Sequence, residues 1–241
     1  VNIAASFNIY EFGPVAAALD GAYAVVDHLS TLLAPIAGAQ SSAAAIVLLT
    51  VLVRLLLTPV GVSQRRAQLA RLRLAPKLAS LRTRYGTDPQ RLQKETLALY
   101  AAENVSPFAG FGPLLLQAPV LSIVYGLFLQ TTINGHANAL LAHTLGSASL
   151  GSSIVAQFAT GGWVVGSVIL LLILLVVLVS RWRGLSQADG PVVPLARALS
   201  WLPLTTVAFA AFVPLAAALY LLVTTTWTLG EREVLRRAIP A

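Results

Sequence analysis

The chain has 241 residues, 57% of them hydrophobic and only 10% charged, where a soluble domain carries about 25% charged residues. Its net charge of +7 is not spread as a nucleic-acid-binding face: of 16 Lys and Arg, nine lie between 61 and 104, six at or beyond 181, and Arg54 alone remains, the block pattern of the positive-inside rule. The absence of cysteine excludes disulfides, thiolate metal sites and thiol catalysis.

There is no methionine, so Val1 reads as a processed end or an alternative start. No basic segment precedes an apolar core there, and no cleavable signal peptide is expected. Residues 1–40 are predicted to form an external segment carrying one amphipathic helix. Val15, Leu19, Ala22, Val26, Leu29 and Leu33 repeat at spacings of 4 and 3, one helical stripe. Asp20, Asp27 and His28 lie off it, and two acids inside a span would cost roughly 2.5–3.5 kcal/mol each. The helix is therefore placed in the membrane interface, stopping near Pro35 and Gly38, with a genuine span as the alternative.

The first span falls within 41–62, from about Ala43 to Val62. Residues 63–104 then turn polar and basic and are predicted to be a cytosolic helical hairpin with arms 63–85 and 89–103. Pro76 should kink the first arm. Gly86 marks its end, and Asp88-Pro89 supplies an N-cap and first-turn proline for the second. The remainder, 105–241, holds spans two to five and a short cytosolic tail. The second span fits Pro107–Gln130, broken early by glycines and prolines. Residues 131–161 contain no Lys, Arg, Asp or Glu and read as an external loop. The third span, Trp163–Ser180, closes on Arg181-Trp182-Arg183 and lacks small-residue packing signals. Two coupled spans follow, about 198–212 and 214–230, turning at Pro214. The fold class is thus an all-α integral membrane protein with five spans, N-terminus outside and C-terminus cytosolic.

Arg54 stands in the middle of an apolar run, with Thr50 and Thr58 four residues to either side, a polar line on one helix. It lies roughly 15 Å from the first polar cytosolic residues, and an arginine side chain covers only part of that distance. Two readings follow: a snorkelled arginine, or a charge facing a hydrated cavity. No Asp or Glu occurs in any predicted span. That weakens proton-coupled transport and favours an anionic or acidic visitor.

The stretches "LLTVLVRLLLTPVGVSQRR", "LAPKLASLRTRYGTDPQRLQKETLALYAAENVSP", "GPLLLQAPV" and "FVPLAAALYLLVTTTW" resemble the YidC/Oxa/Alb family of membrane-protein insertases, over about residues 40–240. The resemblance implies a hydrophilic groove open to the cytosol and the lipid, closed to the outside. It places the groove arginine at Arg54 and the substrate-contacting threonine at Thr50. The motif glutamine falls on Gln117 and the last-span tyrosine on Tyr220. It implies a chaperone-like insertase of a bacterial plasma membrane, not an enzyme, without cofactor. Its partners would be nascent membrane proteins, the lipid bilayer, and the ribosome or Sec translocon. Ser106-Pro107, Leu221 and the threonines at 224–226 depart from the family pattern.

Arg65, Arg66, Arg71, Arg73, Lys77, Arg82 and Arg84 on the hairpin have two readings, a solvated face that enforces topology or a surface that recruits substrate, ribosome or anionic headgroups. His136 and His143 have no carboxylate or thiol near them in sequence, so no metal site is expected. Trp163, Trp182, Trp201 and Trp227 are read as interface residues. Three functional classes remain: an insertase, an anion-selective channel or solute transporter built on Arg54, and an assembly factor without a groove. A forty-residue hairpin between the first two spans favours the insertase, since a minimal channel has no use for it.

Overall fold

A computed structural model describes residues 10, 12–103, 105–106, 122–133, 135–186 and 201–240, and these are mostly helical. The described parts of Val1–Leu55 and Leu121–Leu229 form one compact unit, and those of Leu56–Val120 and Gly230–Ala241 a second.

In the first unit, α1 (Gly13–Ala37) opens with a proline in its first turn, where a missing N–H is harmless. Its predicted stripe is the buried face. Leu19 and Val26 are enclosed, and Ala22, Leu29 and Leu33 pack against the same cluster. Pro35 lies inside the helix rather than ending it. The stop comes at Gly38, whose φ of +52° favours glycine. A 3-10 turn, Gly38–Gln40, leads to α2 (Ser41–Leu56). The Ser30 and Ser42 hydroxyls are 2.9 Å apart, whereas twelve residues of straight helix would separate them by about 18 Å. The apolar stretch Gly13–Leu56 is therefore two helices folded back on each other.

Within the stretch expected as the first span, to Val62, α2 ends at Leu56. Leu57 turns, and α3 begins at Thr58 with a proline in its first turn. Pro59 has no N–H to donate to the carbonyl of Leu55, so the ladder breaks there.

Residues 122–129, the last part of the predicted second span Pro107–Gln130, are helical (α5); positions 107–121 of that span, with Gln117, lie outside the described residues. Gly126 lets α5 approach closely: a Cβ there would fall 2.6 Å from the Tyr10 ring. The segment expected as an external loop is packed and carries short elements of its own. Strands β1 (Thr132–Ile133) and β2 (His136–Ala137) pair antiparallel, as do β3 (Thr144–Leu145) and β4 (Ala148–Ser149), and α6 (Ile154–Thr160) follows. In place of charges, this packed cap uses side-chain amide donors that bond backbone carbonyls. Asn138 Nδ2 donates to the carbonyls of Leu127 at 2.7 Å and Gln130 at 3.0 Å. Gln157 Nε2 donates to the Ser149 and Ser152 carbonyls and to Ser152 Oγ.

Helix α7 (Trp163–Ser186) buries Gly166, Ile169, Ile173 and Val177 and exposes Val164, Val168, Leu171, Leu175 and Leu178. The expectation that this span lacks small-residue packing fails. Gly162 and Gly166 are both buried, and a Cβ on Gly166 would lie 3.0 Å from the Ile154 side chain. The helix also runs past Ser180, so Arg181, Trp182 and Arg183 ride inside it, with Arg181 3.7 Å above the Trp201 ring. Trp163 and Trp182 are both exposed. Nineteen helical residues separate them by about 28 Å, close to the roughly 30 Å thickness of a hydrocarbon core.

The chain then forms α8 (Leu204–Phe212), turns at Val213-Pro214, and continues as α9 (Leu215–Ala238). The first turn of α9 is tied to the cap: Leu215 N donates to Ser152 O at 2.9 Å and Ala216 N to Leu150 O at 3.0 Å. Those N–H groups have no partner within their own helix. Leu215 to Leu219 are all buried.

The second unit holds α3 (Thr58–Tyr85), which continues through Pro76, and α4 (Pro89–Ala102). Asp88 caps α4, its side chain accepting from Arg91 N at 3.0 Å. Gly86 does not supply a left-handed turn, since its φ is −61°. It is required by close approach, because a Cβ would fall 2.5 Å from the Arg82 carbonyl oxygen. Lys77 pairs with Glu103 across the two arms. The last turns of α9 join this unit: Glu231 fills the space a Cβ on Gly61 would occupy, and Arg65 Nη2 donates to Ile239 O at 3.4 Å.

Candidate functional site

Thr50 and Arg54 sit one turn apart on α2, hence on one face. Thr50 is buried, and its hydroxyl donates to Ile46 O at 2.7 Å. Its proton is spent within the helix, which leaves the oxygen as an acceptor. Arg54 is half-buried in the last turn of α2 and is not isolated. The C-terminal carbonyls favour a cation there by about 0.3–1 kcal/mol. Because α2 ends two residues later, the charge lies nearer a helix end than the sequence implied. Thr58, expected as the third member of the same helical line, opens α3 beyond the break at Leu57.

Tyr220 is half-buried on α9, its ring 6.3 Å from that of Phe128. Ala43, Ala45 and Ile46 of α2 join Leu215–Leu219 of α9 in one buried cluster, so the two helices that carry Thr50, Arg54 and Tyr220 share a core. Gln117 lies outside the described residues.

Two residues of this helix were not singled out from sequence as site residues. Thr224 and Trp227 follow Tyr220 at spacings of 4 and 3, on one face of α9. Thr224 Oγ1 and Trp227 Nε1 are enclosed and have no hydrogen-bond partner among the described residues. Their neighbours behave differently: Thr225 Oγ1 donates to Leu221 O at 2.7 Å and Thr228 Oγ1 to Thr224 O at 2.8 Å. Trp227 thus departs from the exposed setting of Trp163, Trp182 and Trp201. Its spacing from Tyr220 was visible in the sequence, but aromatic residues near a span end also suit a membrane interface.

Of the hairpin cations, Arg66, Arg71, Arg73, Lys77, Arg82 and Arg84 are exposed. Arg65 is not. It is half-buried and binds Gln68 and the Ile239 carbonyl, so it clasps the end of the chain rather than widening a recruitment surface. The Lys77–Glu103 pair is solvent-exposed, a class worth about 0.2–1 kcal/mol. On the tail, Arg236 and Arg237 each approach Glu233 to 2.9 Å and hold its carboxyl down to about 2.

His136 borders a cavity of about 320 Å³ with Asp20, Tyr23, Ile133 and Ala137. Among the described residues no group of three or more His, Cys, Asp or Glu is arranged to hold a metal.

A family model described as 60Kd inner membrane protein matches residues 33–241. Relatives named "Membrane protein insertase YidC" include one from Clostridium perfringens, 40% identical over 87 residues, which are 36% of this chain and 37% of the relative. One from Cellvibrio japonicus is 39% identical over 93 residues, 39% of this chain and 17% of the relative. A third, "Membrane protein insertase YidC 1" of Halalkalibacterium halodurans, is 37% identical over 91 residues, 36% of this chain and 35% of the relative. These alignments span well under half of each relative. With the family model covering all but the first 32 residues, the chain belongs to the 60Kd inner membrane protein family, the YidC/Oxa/Alb group.

Proposed function

We propose that this protein is a membrane-protein insertase. It takes a hydrophilic tail or short loop of a nascent membrane protein into a groove open to the cytosol and to lipid, then releases the hydrophobic segment into the bilayer. The observation that carries this reading is the family match, which spans Thr50, Arg54, Gln117 and Tyr220 together. In the proposal these four line the groove of a five-span bundle. A half-membrane cavity shortens the dry distance a polar segment crosses, and the work is solvation and charge, without covalent chemistry. Arg54 favours acidic tails, and Thr50 offers an acceptor oxygen beside it.

Residues 1–40 lie outside with α1 in the interface, where its exposed Phe12, Val25, Leu32 and Ile36 meet lipid while its buried stripe meets the protein. The hairpin 63–104 is cytosolic and recruits substrate through its exposed cations, beside ribosome, Sec translocon or anionic headgroups. Residues 105–241 complete the spans in a bacterial plasma membrane. The relatives' names support insertion over an anion-conducting pore.

The test is insertion of a single-span protein bearing an acidic or a neutral tail, measured with wild-type, Arg54→Ala and Arg54→Lys chains. The reading expects Arg54→Ala to impair the acidic-tailed substrate several-fold and Arg54→Lys to be milder. Normal insertion after depletion of the protein, with altered anion flux instead, would refute it.

A further inference from the structure

Buried polar groups in folded proteins are almost always hydrogen-bonded, and an orphan calls for an explanation. On α9, two atoms without a partner among the described residues occur one turn apart, Thr224 Oγ1 and Trp227 Nε1, in line with Tyr220. The hydroxyls of Thr225 and Thr228 are satisfied by carbonyls of the preceding turn. Thr224 has no such bond. Its neighbours show that local back-bonding is available to threonines in this segment, so its orphan state is particular to Thr224.

The chemistry of the pair is specific. Indole Nε1 is a donor only, while a threonine hydroxyl both donates and accepts. Neither carries charge. A carboxylate would gain more from Arg54, and neither residue of the pair supplies the carboxylate a cation would need. The group that matches one fixed donor beside one acceptor is a main-chain amide, which presents a C=O and an N–H close together. An extended polypeptide has such groups unpaired, and leaving them so in a dry site is expensive. Both residues as a whole remain partly exposed, so a rotamer change, not unfolding, brings the two atoms to an incoming chain.

We propose that Thr224 and Trp227 form a sequence-independent subsite for the backbone of the passing polypeptide. Trp227 Nε1–H donates to a main-chain carbonyl, and Thr224 Oγ1 accepts from a main-chain N–H. The subsite rests on the insertase reading above and deepens it: Arg54 senses the charge of the tail, and this pair holds its backbone whatever the side chains.

The experiment uses the full-length protein reconstituted in liposomes, with a single-span test protein in acidic-tailed and neutral-tailed forms. Trp227→Phe and Thr224→Val should each lower insertion of both forms alike, by roughly threefold to tenfold for one lost hydrogen bond. Thr224→Ser should restore it. Their unfolding temperatures should not rise. Unchanged insertion together with raised unfolding temperatures would overturn the subsite, since deleting an orphan polar group from a dry core stabilises. The groove reading would survive that result if Arg54→Ala still discriminated against the acidic tail. A loss confined to acidic tails would also overturn the subsite, and failure of the wild-type protein to insert either form would sink both.

Discussion

Asn138 ties the end of α5 to the cap through two carbonyls, those of Leu127 and Gln130. Asn138→Leu removes both donors and strands their acceptors in a buried setting, so stability should fall by roughly 1–3 kcal/mol. Thermal unfolding in detergent measures it, and a shift within error of wild type would contradict the role. At the other end of the chain, Glu233 has its carboxyl lowered from 4.5 to about 2 by Arg236 and Arg237. A depressed carboxylate contributes stability that is fully present above its unfolded value and is lost as pH falls through the folded one. The last turns of α9 should therefore hold their amide protection above about pH 4.5 and lose it progressively toward about pH 2. Hydrogen exchange across residues 231–238 reads this out, and Glu233→Gln should remove the pH dependence. Thr50, Arg54 and Tyr220 were nameable from sequence because motif and spacing survive in one dimension. The spent proton of Thr50 and the orphan atoms of Thr224 and Trp227 were not, because hydrogen-bond satisfaction depends on neighbours that only folding supplies.

At the scale of elements, the apolar stripe of α1 and the Asp88 cap of α4 were legible, since both are periodic or local signals. The break at Leu57 was hidden by composition: the apolar run continues to Val62 although Pro59 interrupts the ladder earlier. The cap over 131–161 was hidden for the opposite reason. Its lack of charge and its Gly, Ser, Thr and Asn content describe a loop, yet the same amides and hydroxyls satisfy a packed backbone. Gly166 is where α7 meets α6, 3.0 Å from the Ile154 side chain once a Cβ is added. Gly166→Leu has no room and should destabilise by about 1–3 kcal/mol through overpacking. Substitution of Val168, exposed on the same helix, by leucine should be neutral by comparison. Equal unfolding temperatures for the two variants would contradict the close α6–α7 contact.

For the molecule as a whole, the proposed orientation rests on charge placed in blocks: none of the 16 Lys and Arg lies in residues 1–53 or 105–180. Because the chain has no cysteine, single-cysteine labelling is clean. An impermeant maleimide added to intact cells should modify His136→Cys, and should reach Arg82→Cys only after permeabilisation. The reverse pattern would invert the proposed topology. Family membership is carried by residues 33–241, whereas passage of a polar segment beside α2 is the claim on which the mechanism turns. The most direct measurement places a photo-crosslinking amino acid at Thr50 and stalls a nascent single-span protein on the ribosome. The groove account predicts adducts to the hydrophilic tail just before its apolar segment, weakened for acidic tails by Arg54→Ala. Adducts to lipid alone, at every length of stalled chain, would contradict it.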